Sequence, residues 1–200
     1  MPLPLSARAR PPARFGSAVV SSPPAVAPRC AFARAGVGAV TSQNVPDPRL
    51  GPAALDLLAR GATAAQAVDI VQRTASFVQY RQVTVLGKDG PGAVWSGARA
   101  LGVNAQAMGA NSLSAGNLLA DSGAPHPIVT AVHTTYARPE LSEPTLPSLE
   151  AGPAAGAQAS PVPLSGLRLP ATVAWPRAGR RFTGVVQSPD RPRTHFPRRT

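Results

Sequence analysis

The order of segments in this chain predicts a mixed α+β domain, and three observations carry that prediction. Two runs of small and β-branched residues, FGSAVVSS and GVGAVTSQ, have the composition of buried strands. Two helix-forming stretches follow back to back, each with its own start signal. An alternating run, a Lys-Asp-Gly-Pro turn and a short apolar return then read as a hairpin. The length of 200 residues suits one domain.

Phe15 to Ser22 is the first strand, closed by Pro23 and Pro24. Gly36 to Gln43 is the second, its Gly36 and Gly38 permitting close backbone approach. Asn44 to Arg49 (NVPDPR) is a loop by its Asn, Asp and Pro content. Pro52 suits the first turn of a helix, Pro52 to Arg60, which Gly61 ends. Thr63 caps a second helix, Ala64 to Arg73, with Ala67, Val68 and Val71 on one face. Arg81 to Leu86 alternates as a strand does, and Gly92 to Ser96 returns as its partner. Ala105 to Leu119 reads as one or two strands, punctuated by Gly109 and Gly116. Pro127 to Tyr136 suits a helix. Leu141, Leu146 and Leu149 keep helical spacing, but Pro144, Pro147 and Pro153 interrupt it at a cost of about 3 kcal/mol each. Beyond Pro170 periodicity ends, and an Arg- and Pro-rich stretch predicts poor order.

Composition narrows the partners. Net charge is +11, and every basic residue except Lys88 is an Arg. From Arg168 onward eight Arg stand against the single acid Asp190, a surplus of +7. The body is therefore only mildly basic, which argues against nucleic-acid binding by the whole domain. One cysteine, Cys30, excludes an internal disulfide and a Cys-based metal cluster, and fits a reducing cytoplasm. No apolar run approaches the roughly 18 residues of a membrane span. The start has Arg8, Arg10 and Arg14 and no acid before Asp47, as a transit peptide would, but Pro2, Pro4, Pro11 and Pro12 oppose an amphipathic helix there. The 24 prolines, against a usual share of about 5%, weigh against long regular elements.

Several pieces, in order and spacing, are similar to a bacterial and archaeal family, the DUF1028 proteins. They are Phe15-Gly16-x-Ala18-Val19-Val20-Ser21-Ser22, Ala33 to Val40 (ARAGVGAV), Gln43-Asn44, Leu50-Gly51-Pro52, Tyr80-Arg81-Gln82-Val83, Ser96-Gly97-Ala98 and Gly116-Asn117-Leu118-Leu119-Ala120. The match runs from roughly Ser6 to Leu167. The resemblance implies an αββα four-layer sandwich of antiparallel sheets, the fold of N-terminal-nucleophile (Ntn) hydrolases. In that fold a Thr, Ser or Cys at the mature N-terminus attacks a carbonyl, and its own α-amino group takes the proton. Some relatives carry a peptidoglycan-binding domain, which suggests a cell-wall peptide or other small amide or peptide as substrate. Family members resemble one another in beginning Met-Thr-x-Ser, whereas this chain has Pro2 and Pro4 at those positions. Removal of Met1 would expose a proline without hydroxyl or thiol, so the resemblance implies an impaired hydrolase, a pseudoenzyme.

Other nucleophiles are Ser6, if the chain were cut before it, and Cys30, for which burial is the commoner fate. The amine of Pro2 as a base is a third alternative. Ser21, Ser22, Gln43 and Asn44 follow strands and can line a substrate site or supply oxyanion donors; strand-end capping explains them equally. Arg34 suits a substrate carboxylate, or a partner such as Asp47, or solvent. Asn117 offers a side-chain amide or marks a left-handed turn. His126, His133 and His195 lack metal-ligand spacing, and nothing in the sequence calls for a metal or other cofactor.

The domain is expected over residues 1–168, with 169–200 as a basic tail. Three functions compete: an impaired Ntn amide hydrolase, a non-catalytic structural or interaction protein on the same fold, including a homo-oligomer, and a nucleic-acid binder acting through the Arg-rich tail. The last is disfavoured, because no aromatic ladder accompanies the Arg.

Overall fold

The computed structural model describes residues 2–9, 14–21, 26–119, 122–123, 164–168 and 183–187. Among the described residues ten strands form two antiparallel sheets. The larger has the order β10 (Thr183–Gln187), β9 (Leu164–Arg168), β2 (Arg14–Ser21), β1 (Pro2–Ala9), β8 (Ser112–Leu119), β7 (Val103–Met108). The smaller has the order β3 (Ala31–Arg34), β4 (Gly38–Asn44), β5 (Arg81–Gly87), β6 (Ala93–Ser96). The sheets pack face to face, β1 against β4, β2 against β3 and β5 against β8. Two helices, α2 (Leu50–Ala59) and α3 (Ala64–Thr74), cover the other face of the smaller sheet, and a four-residue α1 (Ala27–Cys30) precedes β3.

The helix layer forms as the sequence leads one to expect. Thr63 and Gln66 make a reciprocal capping box, Gln66 N–H donating to Thr63 Oγ1 at 3.2 Å and Thr63 N–H to Gln66 Oε1 at 2.8 Å. Leu55, Leu58, Val68 and Val71 bury themselves against Val40, Val83 and Val85 of the sheet beneath. The first helix begins at Leu50 rather than at Pro52. Pro52 stays within the first turn, where a missing N–H costs nothing. Gly51 is the point of closest approach: a Cβ there would lie 2.1 Å from Cδ2 of Phe32, so the ring of β3 rests on bare helix backbone.

The strand at the centre of the larger sheet departs most from the sequence reading. No strand is expected over MPLPLS, yet β1 pairs with β2 from Pro2↔Ser21 to Ala9↔Arg14. Prolines cannot donate to a ladder, which is why a central strand normally excludes them. Here β1 pairs with β8 only over Leu5–Ala7, and the Ser114 hydroxyl donates to the Pro4 carbonyl at 2.7 Å. At the other end of β1, buried Arg8 donates to the carbonyls of Gly87 (2.8 Å), Gly90 (2.7 Å) and Ala110 (2.9 Å), and to Asn111 Oδ1 (3.0 Å).

Ala105 to Leu119 resolves into two strands, β7 and β8. Thr183–Gln187 forms β10 on the sheet edge, paired with β9, inside the span that the sequence reading assigns to a poorly ordered tail. The helix expected over Pro127 to Tyr136 and the proline-interrupted stretch from Leu141 to Ala157 lie outside the described residues. Among the described residues no helix is long and apolar enough to cross a membrane.

Candidate functional site

In a strand pair directly opposed residues share a face, so the registers sort the side chains. Val40, Ser42, Val83 and Val85 face the helices, while Thr41, Gln43, Gln82 and Thr84 face the other sheet. Buried polar groups of β4 and β5 therefore point into the space between the sheets, beside apolar residues such as Leu86 and Val19. Thr41 and Thr84 hydroxyls bond at 2.6 Å across the β4–β5 pair, and Ser6 and Ser17 hydroxyls at 3.4 Å across the β1–β2 pair.

At one end of this space three carboxamides meet. Gln43 Nε2 donates to Gln82 Oε1 and, across the sheets, to the Ala115 carbonyl at 3.1 Å. Gln82 Nε2 donates to the Gly116 carbonyl at 3.2 Å and to Ser96 Oγ at 2.9 Å. Asn117 Nδ2 donates to Gln82 Oε1 at 3.4 Å. The orientation of each amide is set by chemistry: backbone carbonyls accept only, so Gln43 and Gln82 must turn their nitrogens toward Ala115 and Gly116, and Asn117 must turn its own toward Gln82 Oε1. Two oxygens are then left over. Gln43 Oε1 and Asn117 Oδ1 are buried without a hydrogen-bond partner, as is Ser42 Oγ on the helix-facing side.

A bulge aims Asn117 inward. Val103 pairs with Leu119 and Ala105 with Gly116, so β8 carries one residue more than β7 between those pairs. Leu118 absorbs the extra residue in the left-handed region, at φ 53°. The left-handed position that the sequence suggests for Asn117 thus belongs to its neighbour. The other two non-glycine residues at positive φ among those described, Asn44 (76°) and Phe77 (56°), lie at the same end of the sheets. Backbone held this way costs roughly 1–3 kcal/mol per residue and concentrates at sites where the surroundings enforce it.

The rim of this end is tied together by backbone bonds. Arg99 N–H donates to the Gln79 carbonyl at 2.8 Å, Gly97 N–H to Arg81 at 2.9 Å, and Leu118 N–H to Leu101 at 3.0 Å. Phe77, Leu101 and Leu118 stand on it, respectively 66%, 53% and 45% exposed. Arg81, next in sequence to Gln82, is buried on the opposite, helix-facing side of the strand. Its Nε donates to the Ser76 carbonyl at 3.0 Å, its Nη1 to the Val45 carbonyl, and its Nη2 lies 3.8 Å from Asp47 Oδ2. Asp47 is held by Arg49 at 2.8 Å, and that bond, with the charge of Arg81 behind it, lowers its carboxyl pKa to about 2.

The start of β1 belongs to this end as well. Pro2 is the register partner of Ser21 on one side. On the other, β1 pairs with β8 only over Leu5–Ala7, and Leu3 lies against Gly116. A Cβ on Gly116 would meet Leu3 Cδ1 at 2.8 Å. Of the residues proposed from the sequence, Gln43 and Asn117 meet at Gln82, and Pro2 pairs with Ser21 at the start of β1. Asn44 sits at the end of β4 and donates its amide to the Tyr80 carbonyl, as a strand-end cap does. Arg34 lies apart, in an ion pair with Asp56 at 2.8 Å on the helix side, not with Asp47. Ser22 is outside the described residues. Ser6 is mid-strand and buried, and Cys30 is buried against Val19 and Ala31, where loss of water pushes its thiol pKa up to about 11. Neither has the exposure or acidity of a nucleophile.

Sequence reasoning missed Gln82, the node of the cluster, along with Ser96 and Arg8. Gln43 and Gln82 supply no oxyanion donor, because every N–H of both is used. Among the described residues no three His, Cys, Asp or Glu side chains gather as a metal site. A cavity of about 470 Å³ lies at the opposite end of β4 and β5, lined by Val37, Leu58, Thr63, Gly87 and Gly92 among others, and none of its lining residues holds an unpartnered buried polar atom.

The model of a family of unknown function, DUF1028, matches residues 5–176. No curated protein matches the chain. Among solved structures, protein SPO2555 from Silicibacter pomeroyi, described with the same family model, superposes with a TM-score of 0.80 at 19% identity, over 94% of this chain and 80% of that one. At that identity the likeness speaks to the fold.

Proposed function

Because this chain belongs to the DUF1028 family, we propose that it is an amide-binding protein built on an Ntn-hydrolase-like scaffold, with its hydrolytic step impaired at Pro2. The observation that carries this reading is the place of Pro2, at the start of a central strand and opposite Ser21, toward the end of the sheets where three buried amides converge. An N-terminal residue at such a point would have its amine and side chain within reach of a bound amide. A proline there retains an amine but brings no attacking oxygen or sulfur. The four-layer αββα sandwich over residues 1–168 follows from the same reading. Leu3, Leu5, Ala7 and Ala18 are buried on the outer face of the six-stranded sheet, where a second helix layer would sit. The ligand in this reading is a small amide or peptide, and the lone buried thiol suits a cytoplasmic setting.

The test pairs N-terminal sequencing with amide hydrolysis. The purified chain should begin at Met1 or Pro2 and release no product from amino-acyl nitroanilides. Pro2→Thr, once its initiator Met is removed, should gain measurable turnover that is lost again in Pro2→Ala. Turnover by the unaltered chain would overturn the impairment at Pro2, and a processed but silent Pro2→Thr would overturn the hydrolase reading.

A further inference from the structure

We propose that the cavity between the α2–α3 turn and the β5–β6 hairpin binds a small uncharged apolar molecule, of one ring and a short alkyl chain. The cavity lies at the end of β4 and β5 away from the amides, and the inference goes beyond the reading of Pro2. Leu58 and Ala64 form its floor, both buried, with half-buried Val37 and Ala62 beside them. Its mouth is bounded by exposed Ala65 on the helix and by the exposed turn Lys88–Pro91. Room and access are therefore both present. Apolar cavities of about 150 Å³ take benzene, and this one, at about 470 Å³, has space for a larger molecule.

Its two walls are fixed apart, so the space is built into the fold. On one side buried Arg8 pulls the hairpin toward the larger sheet, donating to the carbonyls of Gly87 at 2.8 Å and Gly90 at 2.7 Å. Gly92 is packed the same way: a Cβ there would lie 2.4 Å from Leu113 Cδ2. On the other side the α2–α3 turn is closed on itself, Gly61 N–H donating to Leu58 and Ala62 N–H to Leu57, each at 3.1 Å. A Cβ on Gly61 or Gly90 would meet nothing within 4 Å. Glycines thus leave open space between walls that other bonds hold in place.

The lining selects an uncharged ligand. The capping box already takes the N–H groups of Thr63 and Gln66 at the start of α3, so that helix end is not an open cradle for an anion. Lys88 and Asp89 bring opposite charges to the mouth, and neither sign is favoured there. An ion reaching Leu58 would lose hydration with no opposite charge on the floor to replace it. An apolar molecule gains by covering the carbons of Leu58, Val37 and Ala64.

The experiment titrates the unaltered chain with propylbenzene, 3-phenylpropionate and 3-phenylpropylammonium, which share ring and chain and differ in charge. The methyl resonances of Val37, Leu58 and Ala64 and the melting temperature are followed. Propylbenzene should bind saturably, move those three residues before methyls elsewhere, raise Tm, and bind about tenfold more tightly than either ion. Ala65→Phe places a ring in the mouth from an exposed helix position, and Ala62→Leu fills the cavity from the turn. Each should weaken propylbenzene about tenfold in a chain that still melts cooperatively. The proposal is overturned by no saturable binding, by an ion within about threefold of propylbenzene, by saturation that leaves Val37 and Leu58 unmoved, or by undiminished affinity in either folded variant. Turnover plays no part, so these outcomes are independent of Pro2→Thr.

Discussion

Replacing Gln82 by Leu is the most direct probe of what holds the two sheets in register at the end where the amides meet. Gln82 accepts from Gln43 and Asn117 and donates to Ser96 and Gly116, whereas Gln43 bonds only Gln82 and Ala115. Gln82→Leu keeps the volume but leaves Asn117 Nδ2 without its only partner, in a side chain with no exposure. It also strips one donor each from the Gly116 carbonyl and the Ser96 hydroxyl. A stranded buried group costs about 1–3 kcal/mol and a simple lost bond about 1, and Gln43 Nε2 loses its bond as well, so the sum is about 5 kcal/mol. For a chain of this length that lowers Tm by about 10–20 °C. Gln43→Leu should be milder, at about 1 kcal/mol, because it also removes the unpartnered Oε1. The double variant should cost less than the two singles together, since the residues share a bond. Urea unfolding reads all three, with an unchanged m-value showing that the same surface is exposed. If Gln82→Leu costs under about 1 kcal/mol, or less than Gln43→Leu, the cluster does not fasten the sheets and the reasoning fails.

Two further predictions test the surroundings. Asp47 has its pKa lowered from 3.8 to about 2, so its contribution is complete above pH 4 and is lost as the pH falls through 2. Arg49 is 86% exposed and water screens its share, so Asp47→Asn should cost about 1 kcal/mol at pH 7, with the difference from the parent closing toward pH 2 in acid denaturation. Gly51→Ala drives a methyl into the Phe32 ring and should cost about 2 kcal/mol, with Phe32→Leu in the same chain recovering part of the loss in thermal melts.

The sequence made the helix layer legible because its signals are local: Thr63 and Gln66 are three residues apart, and the valines of the second helix repeat at helical spacing. The candidate site was half legible. Gln43, Asn117 and Ser21 stood out as polar residues at strand ends. Gln82 did not, because polar and apolar residues alternate in RQVTVL as they do in a strand with one face in water. In this sandwich the polar face of that strand meets a second sheet, whose carbonyls at Ala115 and Gly116 satisfy it. Only the pairing of distant segments reveals that. The first strand was illegible for a related reason: Pro2 and Pro4 forbid a full ladder, and the hydroxyl that satisfies the Pro4 carbonyl comes from the distant Ser114.

That central first strand also sets the order in which the chain can fold. Leu5 lies beside Ser114, and Arg8 reaches Gly87 and Ala110, so the earliest residues made are completed only by partners about 80 to 110 positions later. At synthesis rates of about 5–20 residues per second they wait several seconds beside β2 alone. Contacts of such long range are slow to close. The helices and β4–β6, whose partners are nearer in sequence, can assemble during that interval, and the arrival of β8 would then join the two halves of the molecule.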